Sequence, residues 1–204
     1  MGEHDLRRRI LDEARYLLVR EGYSGLSMRK LAQAIGYSAT SIYLYFKNKD
    51  DLFHVLILEG LEKLYEHLNR GLDGIPSPEQ RLRALCERYI SFGLENPEYY
   101  EIMFVLHPEK SSRFPREHYR RGRKSLNLFA QALEDGTREG VFHCRDVSVS
   151  ASVIWTFLHG AVSLVLAHRL DARLDRSSYL KEVIDRTVAS MKFPLAVSNE
   201  SLNP

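Results

Sequence analysis

Apolar residues return along this chain at intervals of three and four, the spacing that lines up one face of an α-helix. Ile10, Leu11, Ala14, Leu17 and Leu18 form the first such stripe, and the run Glu21-Gly22-Tyr23-Ser24-Gly25 ends it. Ser27 is placed to cap a second helix, Met28 to Ile35, with Met28, Leu31, Ala32 and Ile35 on one face and Gly36 as its left-handed stop. Ser38 caps a third, about Ala39 to Phe46. A fourth starts at Asn48 or Lys49, holds Asp50 and Asp51 in its positive first turn, and carries Leu52, Phe53, Leu56, Leu61, Leu64 and Leu68 to about Gly71. After the turn-rich Asp73 to Pro78, a fifth helix presents Leu82, Leu85, Tyr89 and Phe92, and a short aromatic one follows from Pro97 to about Leu106. His107 to Pro115 reads as an exposed loop. Longer helices are predicted over Glu117 to Glu139, Val147 to Leu170 and Asp175 to Phe193, with a frayed tail from Pro194 to Pro204. No segment alternates apolar and polar residues as a strand would, so the pattern predicts an all-α fold of about nine helices without internal repeats.

Composition narrows this. The 204 residues are 44% hydrophobic, enough for a packed core, and no apolar stretch is expected to reach the roughly 18 residues that a membrane span needs. No membrane partner is expected, and a cytoplasmic setting is. The two cysteines, Cys86 and Cys144, form no CxxC pair, and a helical protein of this size needs no disulfide. Net charge is only +2, but residues 1–50 carry nine Lys or Arg against six Asp or Glu, so the basic excess sits at the start of the chain. A GxSxG elbow, an HExxH helix and a Gly-rich phosphate loop are missing from the sequence, and no two histidines stand three or four apart. No catalytic residues, metal site or cofactor are therefore expected.

The stretch from Leu31 to Ile42 carries the chemistry. Two helices that cross through a tight turn need a small side chain where their backbones meet, a glycine in the turn, and an apolar anchor on the second helix. Ala32, Gly36 and Ile42 stand at those places. Beyond the turn, Ser38, Thr40, Ser41, Tyr43 and Tyr45 are hydrogen-bonding groups on a short helix, and Lys47 and Lys49 follow. Such a helix can enter a major groove while its positive N-terminus and the lysines meet phosphates. The plainer reading of the same tyrosines and lysines is a solvated amphipathic surface.

The run from Gly22-Tyr23 through Leu26 to Ala32, Ile35 to Ser38, and Thr40 to Phe53 resembles the TetR family of repressors over about residues 5–53. That resemblance implies phosphate contacts by Tyr43, Tyr45 and Lys49, base-edge proximity for Ser38, Ala39, Thr40 and Ser41, and backbone contacts from Ser27 and Arg29. It implies a head over residues 1–49, an effector-binding and dimerisation domain over 50–193 and a disordered tail over 194–204. Double-stranded operator DNA, a second copy of the chain and a small-molecule effector are the partners it implies, with the fourth helix as the lever between effector and DNA. Trp155-x-x-x-His159-Gly160 is similar to a motif in one branch of these regulators.

Candidate effector-pocket residues are Leu64, Tyr65, Leu68, Tyr89, Phe92, Tyr99, Tyr100, Met103, Phe104, Phe129, Trp155 and His159, an apolar and aromatic set with a few polar anchors. An aromatic stripe at helical spacing is equally what plain core looks like. Small residues Gly160, Ser163 and Ala167, with Leu164, suit a close helix approach in a dimer, opposite Val183, Ile184, Thr187 and Met191. The basic run Arg113, Arg116, Arg120, Arg121, Arg123 and Lys124 reads as a solvated helix face. The alternative from another class is a helical partner-binding adaptor that has lost DNA binding.

Overall fold

The computed structural model describes residues 3–106 and 116–192. The expected loop over 107–115 with Arg113, the end of the last helix at Phe193 and the tail over 194–204 lie outside the described residues. Within them the chain forms α1 (Glu3–Gly25), α2 (Met28–Ile35), α3 (Ala39–Tyr43), α4 (Lys49–Asn69), α5 (Pro78–Glu95), α6 (Pro97–Phe104), α7 (Arg116–Arg138), α8 (Val147–Leu166) and α9 (Arg176–Ser190), with a 3-10 turn at Leu72–Gly74.

Helix ends follow local chemistry. Ser27 accepts the Lys30 N–H at 3.2 Å, and Gly36 sits at φ 74°, where its N–H and that of Tyr37 close back on the last carbonyls of α2. α3 is shorter than the periodicity predicts, ending at Tyr43. The next helix already starts at Lys49, because Asn48 Oδ1 accepts the Asp51 N–H at 2.8 Å while Asp51 Oδ2 accepts the Lys47 N–H at 3.0 Å, a reciprocal cap that turns the chain. α8 stops at Leu166 and not near Leu170. His168 takes φ 54°, and its N–H and that of Arg169 bond to Val165 and Leu164, a left-handed cap on a residue that carries no glycine signal.

Two compact units lie along the chain, one within residues 1–67 and 91–125, the other within 68–90 and 126–204. In the first, Ile10, Leu11, Ala14, Leu18, Leu31, Ile42, Phe46, Leu52, Phe53 and Leu56 are buried, as the stripes require. α1 packs on α2 and α6, and α2 on α3. At Gly60 on α4 a side chain would press within 2.7 Å of Met103 Sδ and 3.2 Å of Tyr99, so the glycine lets α6 lie close. In the second unit Leu82, Leu85, Phe129, Leu133, Phe142, Ile154 and Leu158 form the core, and Arg81–Asp135 (2.7 Å) and Arg83–Asp185 (2.6 Å) pin α5 to α7 and α9.

One expectation is overturned. α8, 20 residues with a mean hydropathy of 1.8 in its best window, is long and apolar enough by length and composition to cross a membrane. Its interspersed Ser, Thr and Gly residues hide this from a search for unbroken apolar runs, yet none of them is charged. Core helices of non-membrane proteins pass the same test. Here Ala151, Ile154, Leu158, Ala161, Val162 and Val165 are buried, while Val149, Val153, Phe157 and Leu164 are exposed apolar side chains on the other face.

Candidate functional site

α3 is held by one buried anchor and shows the rest of its surface. Ile42 is fully buried, with Leu31 and Ala32 of α2 also buried. Thr40 and Lys47 are exposed, Tyr43 is 53% exposed, and Leu44 is 80% exposed. Ala39, Ser41 and Tyr45 are half-buried. Ser38 is spent on local order, because its Oγ accepts the Ser41 N–H at 3.1 Å and lies 2.9 Å from Ser41 Oγ. Thr40 and Tyr43 are the exposed residues of this helix that bring hydroxyls outward. On α2, Ser27 caps and Arg29 is exposed. Lys49, expected as a loose phosphate contact, has a fixed place: its ammonium lies 4.2 Å from the Tyr23 ring centre and donates to the Tyr23 carbonyl at 3.4 Å.

α1 supplies supports that sequence reasoning missed. Arg9 donates to the Ile35 carbonyl at 3.1 Å and stacks on Tyr37, and Arg7 lies 5.5 Å from the Phe46 ring centre. Leu44 was also missed, although an apolar residue outside every stripe is a readable signal. In the α7 basic run two side chains are ion-paired, Arg121 with Glu117 and Glu62 and Arg120 with Glu117.

The residues expected to line an effector pocket fall into both units. In the first, Leu64, Phe92, Tyr100 and Met103 are buried, Tyr100 meets Phe104 edge-on at 5.1 Å, and Tyr65 carries the Lys124 ammonium at 5.4 Å. Tyr99 belongs to a polar junction instead of an apolar lining. Its hydroxyl donates to Glu59 Oε1 at 2.6 Å and accepts from Arg15 Nη1 at 2.8 Å, and Arg15 also holds Glu98 at 2.8 Å. Arg8 reaches Glu59 at 2.6 Å and pairs with Asp12. Burial and then Glu59 push the Tyr99 phenol upward. Burial works against Glu59, but Arg8 and Tyr99 more than offset it and hold the carboxyl below its usual value. In the second unit Leu68 is buried and four of the expected residues meet: Trp155 lies edge-on to Tyr89 at 4.7 Å and to Phe129 at 6.5 Å, and Tyr89 Oη is 3.3 Å from His159 Nδ1. Burial lowers the His159 pKa, so the ring is held neutral.

Of the expected dimer residues, Gly160, Leu164 and Ala167 are exposed, and Ser163, Val183 and Met191 are half-buried. Ile184 and Thr187 are 8% and 2% exposed, buried within the chain itself. Val149, Val153 and Phe157 extend the exposed α8 stripe N-terminally; their four-residue spacing was readable but is diluted by serines.

Residues 10–56 match the profile of bacterial regulatory proteins of the tetR family, and residues 82–190 match the tetracyclin repressor-like C-terminal domain. An HTH-type transcriptional repressor of Mycobacterium tuberculosis is 41% identical over 70 residues, which is 34% of this chain and 37% of that protein. The chain spans about half or less of the length of the curated relatives it matches. Among solved structures, a protein of unknown function from Rhodococcus sp. RHA1 superposes with a TM-score of 0.78 at 24% identity, covering 95% of this chain and 97% of that one. The regulator FadR from Bacillus subtilis, in complex with stearoyl-CoA, gives 0.73 at 19% identity over 91% and 99%. These likenesses show that the fold is shared.

Proposed function

Because the chain belongs to the tetR family of bacterial regulatory proteins, we propose that it is a dimeric DNA-binding repressor released from its operator by a small molecule. The observation that carries this reading is the outward face of α3, an exposed threonine and tyrosine on a short helix whose other side is anchored through Ile42, followed by the exposed Lys47. Thr40, with Ala39 and Ser41 beside it, faces base edges; Tyr43, Tyr45, Lys47 and Lys49, with Ser27 and Arg29 from α2, meet phosphates. Lys49 reaches its phosphate from a preorganised position, since Tyr23 already holds its ammonium.

Val149, Val153, Phe157, Gly160, Leu164 and Ala167 on α8, with Val183 and Met191 on α9, form the subunit interface. A contiguous apolar stripe on an otherwise polar surface calls for a cover, and a two-fold partner presenting the same stripe provides one. This accounts for a helix of membrane-spanning hydropathy without a membrane, and a cytoplasmic regulator fits it. Tyr89, Phe129, Trp155 and His159 are the effector-contacting cluster, three aromatic surfaces with one neutral imidazole as a polar anchor. An apolar or aromatic effector suits them; the relative FadR was solved with stearoyl-CoA. α4, starting six residues beyond α3, is the element through which an effector would re-aim the heads.

Selection of bound fragments from random duplex DNA, at two salt concentrations, tests the proposal. A recurrent palindrome with half-sites about 34–36 Å apart, or slightly more, is expected, with affinity falling steeply as salt rises. No enrichment, with no salt-sensitive DNA affinity, would point to the adaptor reading.

A further inference from the structure

A cavity of about 420 Å³ in the first compact unit is lined by Arg7, Arg8 and Leu11 of α1, Val55, Leu58 and Glu59 of α4, and Arg121 of α7. Three guanidiniums therefore face one carboxylate. That carboxylate is already occupied, since Glu59 Oε1 accepts from both Arg8 and the Tyr99 hydroxyl at 2.6 Å. Arg121 has acidic partners in Glu62 and Glu117, which do not line the cavity. Among the described residues, Arg7 meets the Phe46 ring and no carboxylate. Arg8 is paired with Asp12 as well as with Glu59, so the guanidinium left without a carboxylate among the described residues is that of Arg7, which lies beside an aliphatic strip formed by Leu11, Val55 and Leu58. Its volume lies within the roughly 300–1,000 Å³ of small-ligand sites.

We propose that this cavity binds a small organic carboxylate, its charged end held by Arg7 and its apolar body lying on Leu11, Val55 and Leu58. A guanidinium fork matches a carboxylate bidentately, and the aliphatic strip rewards a body of several carbons over a bare ion. The site differs from the Tyr89, Phe129, Trp155 and His159 cluster in residues and in charge. It also touches the machinery of the head. Arg7 stacks on Phe46, three residues beyond α3, and Arg8 shares Glu59 with Tyr99 of α6, so a ligand that draws on either arginine alters what α1 holds. Only this last step rests on the repressor reading.

Binding is tested on the full chain without DNA, by calorimetry and amide NMR, with hexanoate as probe, 1-hexanol as the uncharged body and inorganic phosphate as the bare anion. Saturable hexanoate binding is expected, with hexanol and phosphate each at least about tenfold weaker. Arg7→Gln should weaken hexanoate about tenfold, and Val55→Trp, which fills the cavity, should abolish it while the circular dichroism stays helical. Hexanoate affinity unchanged in both variants would place the acid elsewhere and overturn the proposal. So would phosphate binding as tightly as hexanoate, the mark of an adventitious ion only, or no saturation at all. Operator release by hexanoate is a separate readout: protein that binds hexanoate but no DNA would strike the repressor reading and leave the site standing.

Discussion

Thr40 on α3 and Lys47 just beyond it are both exposed, yet they should fail differently when removed. Thr40→Ala is expected to change the ranking of operator variants, by about 1–3 kcal/mol at one base pair, because a base-edge contact discriminates. Lys47→Ala should weaken all sequences alike and lower the salt slope by about one, because a phosphate contact does not discriminate. Binding titrations on a small operator panel at several salt concentrations separate the two, and equal loss on every variant for Thr40→Ala would move it to the backbone. His118 gives a test of a different kind. It is 2% exposed on α7, with its ring centre 4.9 Å from that of His54 on α4, and burial, then His54, lowers its pKa from 6.5 to about 4. The unfolded chain takes up a proton at this histidine near pH 6.5 while the folded one does not until about pH 4, so acidification across that window favours unfolding. Denaturant midpoints should fall between pH 6.5 and 4, and the fall should be shallower in His118→Phe; parallel pH profiles would remove His118 as a cause.

Among the helices, α2 and α8 show most clearly how one local feature sets what an element does. Gly36 at φ 74° ends α2, and a side chain there would meet nothing within 4 Å, so the cost of Gly36→Ala is purely conformational. About 1–2 kcal/mol of stability loss is expected from equilibrium unfolding. Loss near zero would show that the α2–α3 turn relaxes easily. α8 is divided between an inward face, from Ala151 to Val165, and an outward one with Phe157 at 52% exposure. If the outward face is the subunit interface, Phe157→Glu should yield folded monomer in sedimentation with DNA affinity sharply reduced, since one head loses the partner that doubles its contacts. A variant that stays dimeric would move the interface off this stripe.

At the scale of the whole molecule, a chain with net charge of only +2 has little general attraction for nucleic acid, so specific placement of a few groups must supply its affinity. On α7, Arg120 and Arg121 add little to such attraction, because they are paired with Glu117 and Glu62. Competition with bulk genomic DNA should accordingly cost this protein less than a strongly basic one. Filter binding against calf-thymus DNA checks this.

Helix order and the Ser27, Gly36 and Ser38 caps follow from the sequence alone, because each depends on neighbours three or four positions away. The early end of α8 did not, since a left-handed cap on His168 leaves no trace of the glycine by which such caps are recognised. Which partners the buried aromatic residues meet also had to wait. Tyr99 and Tyr89 sit in equally apolar patterns, but one is turned to Arg15 and Glu59 and the other to Trp155 and His159. Partners from distant parts of the chain decide that difference, as they decide that Ile184 and Thr187 point inward while Phe157 points out. Periodicity identifies the face of a helix that wants cover; only the packed neighbours settle whether the protomer itself provides it.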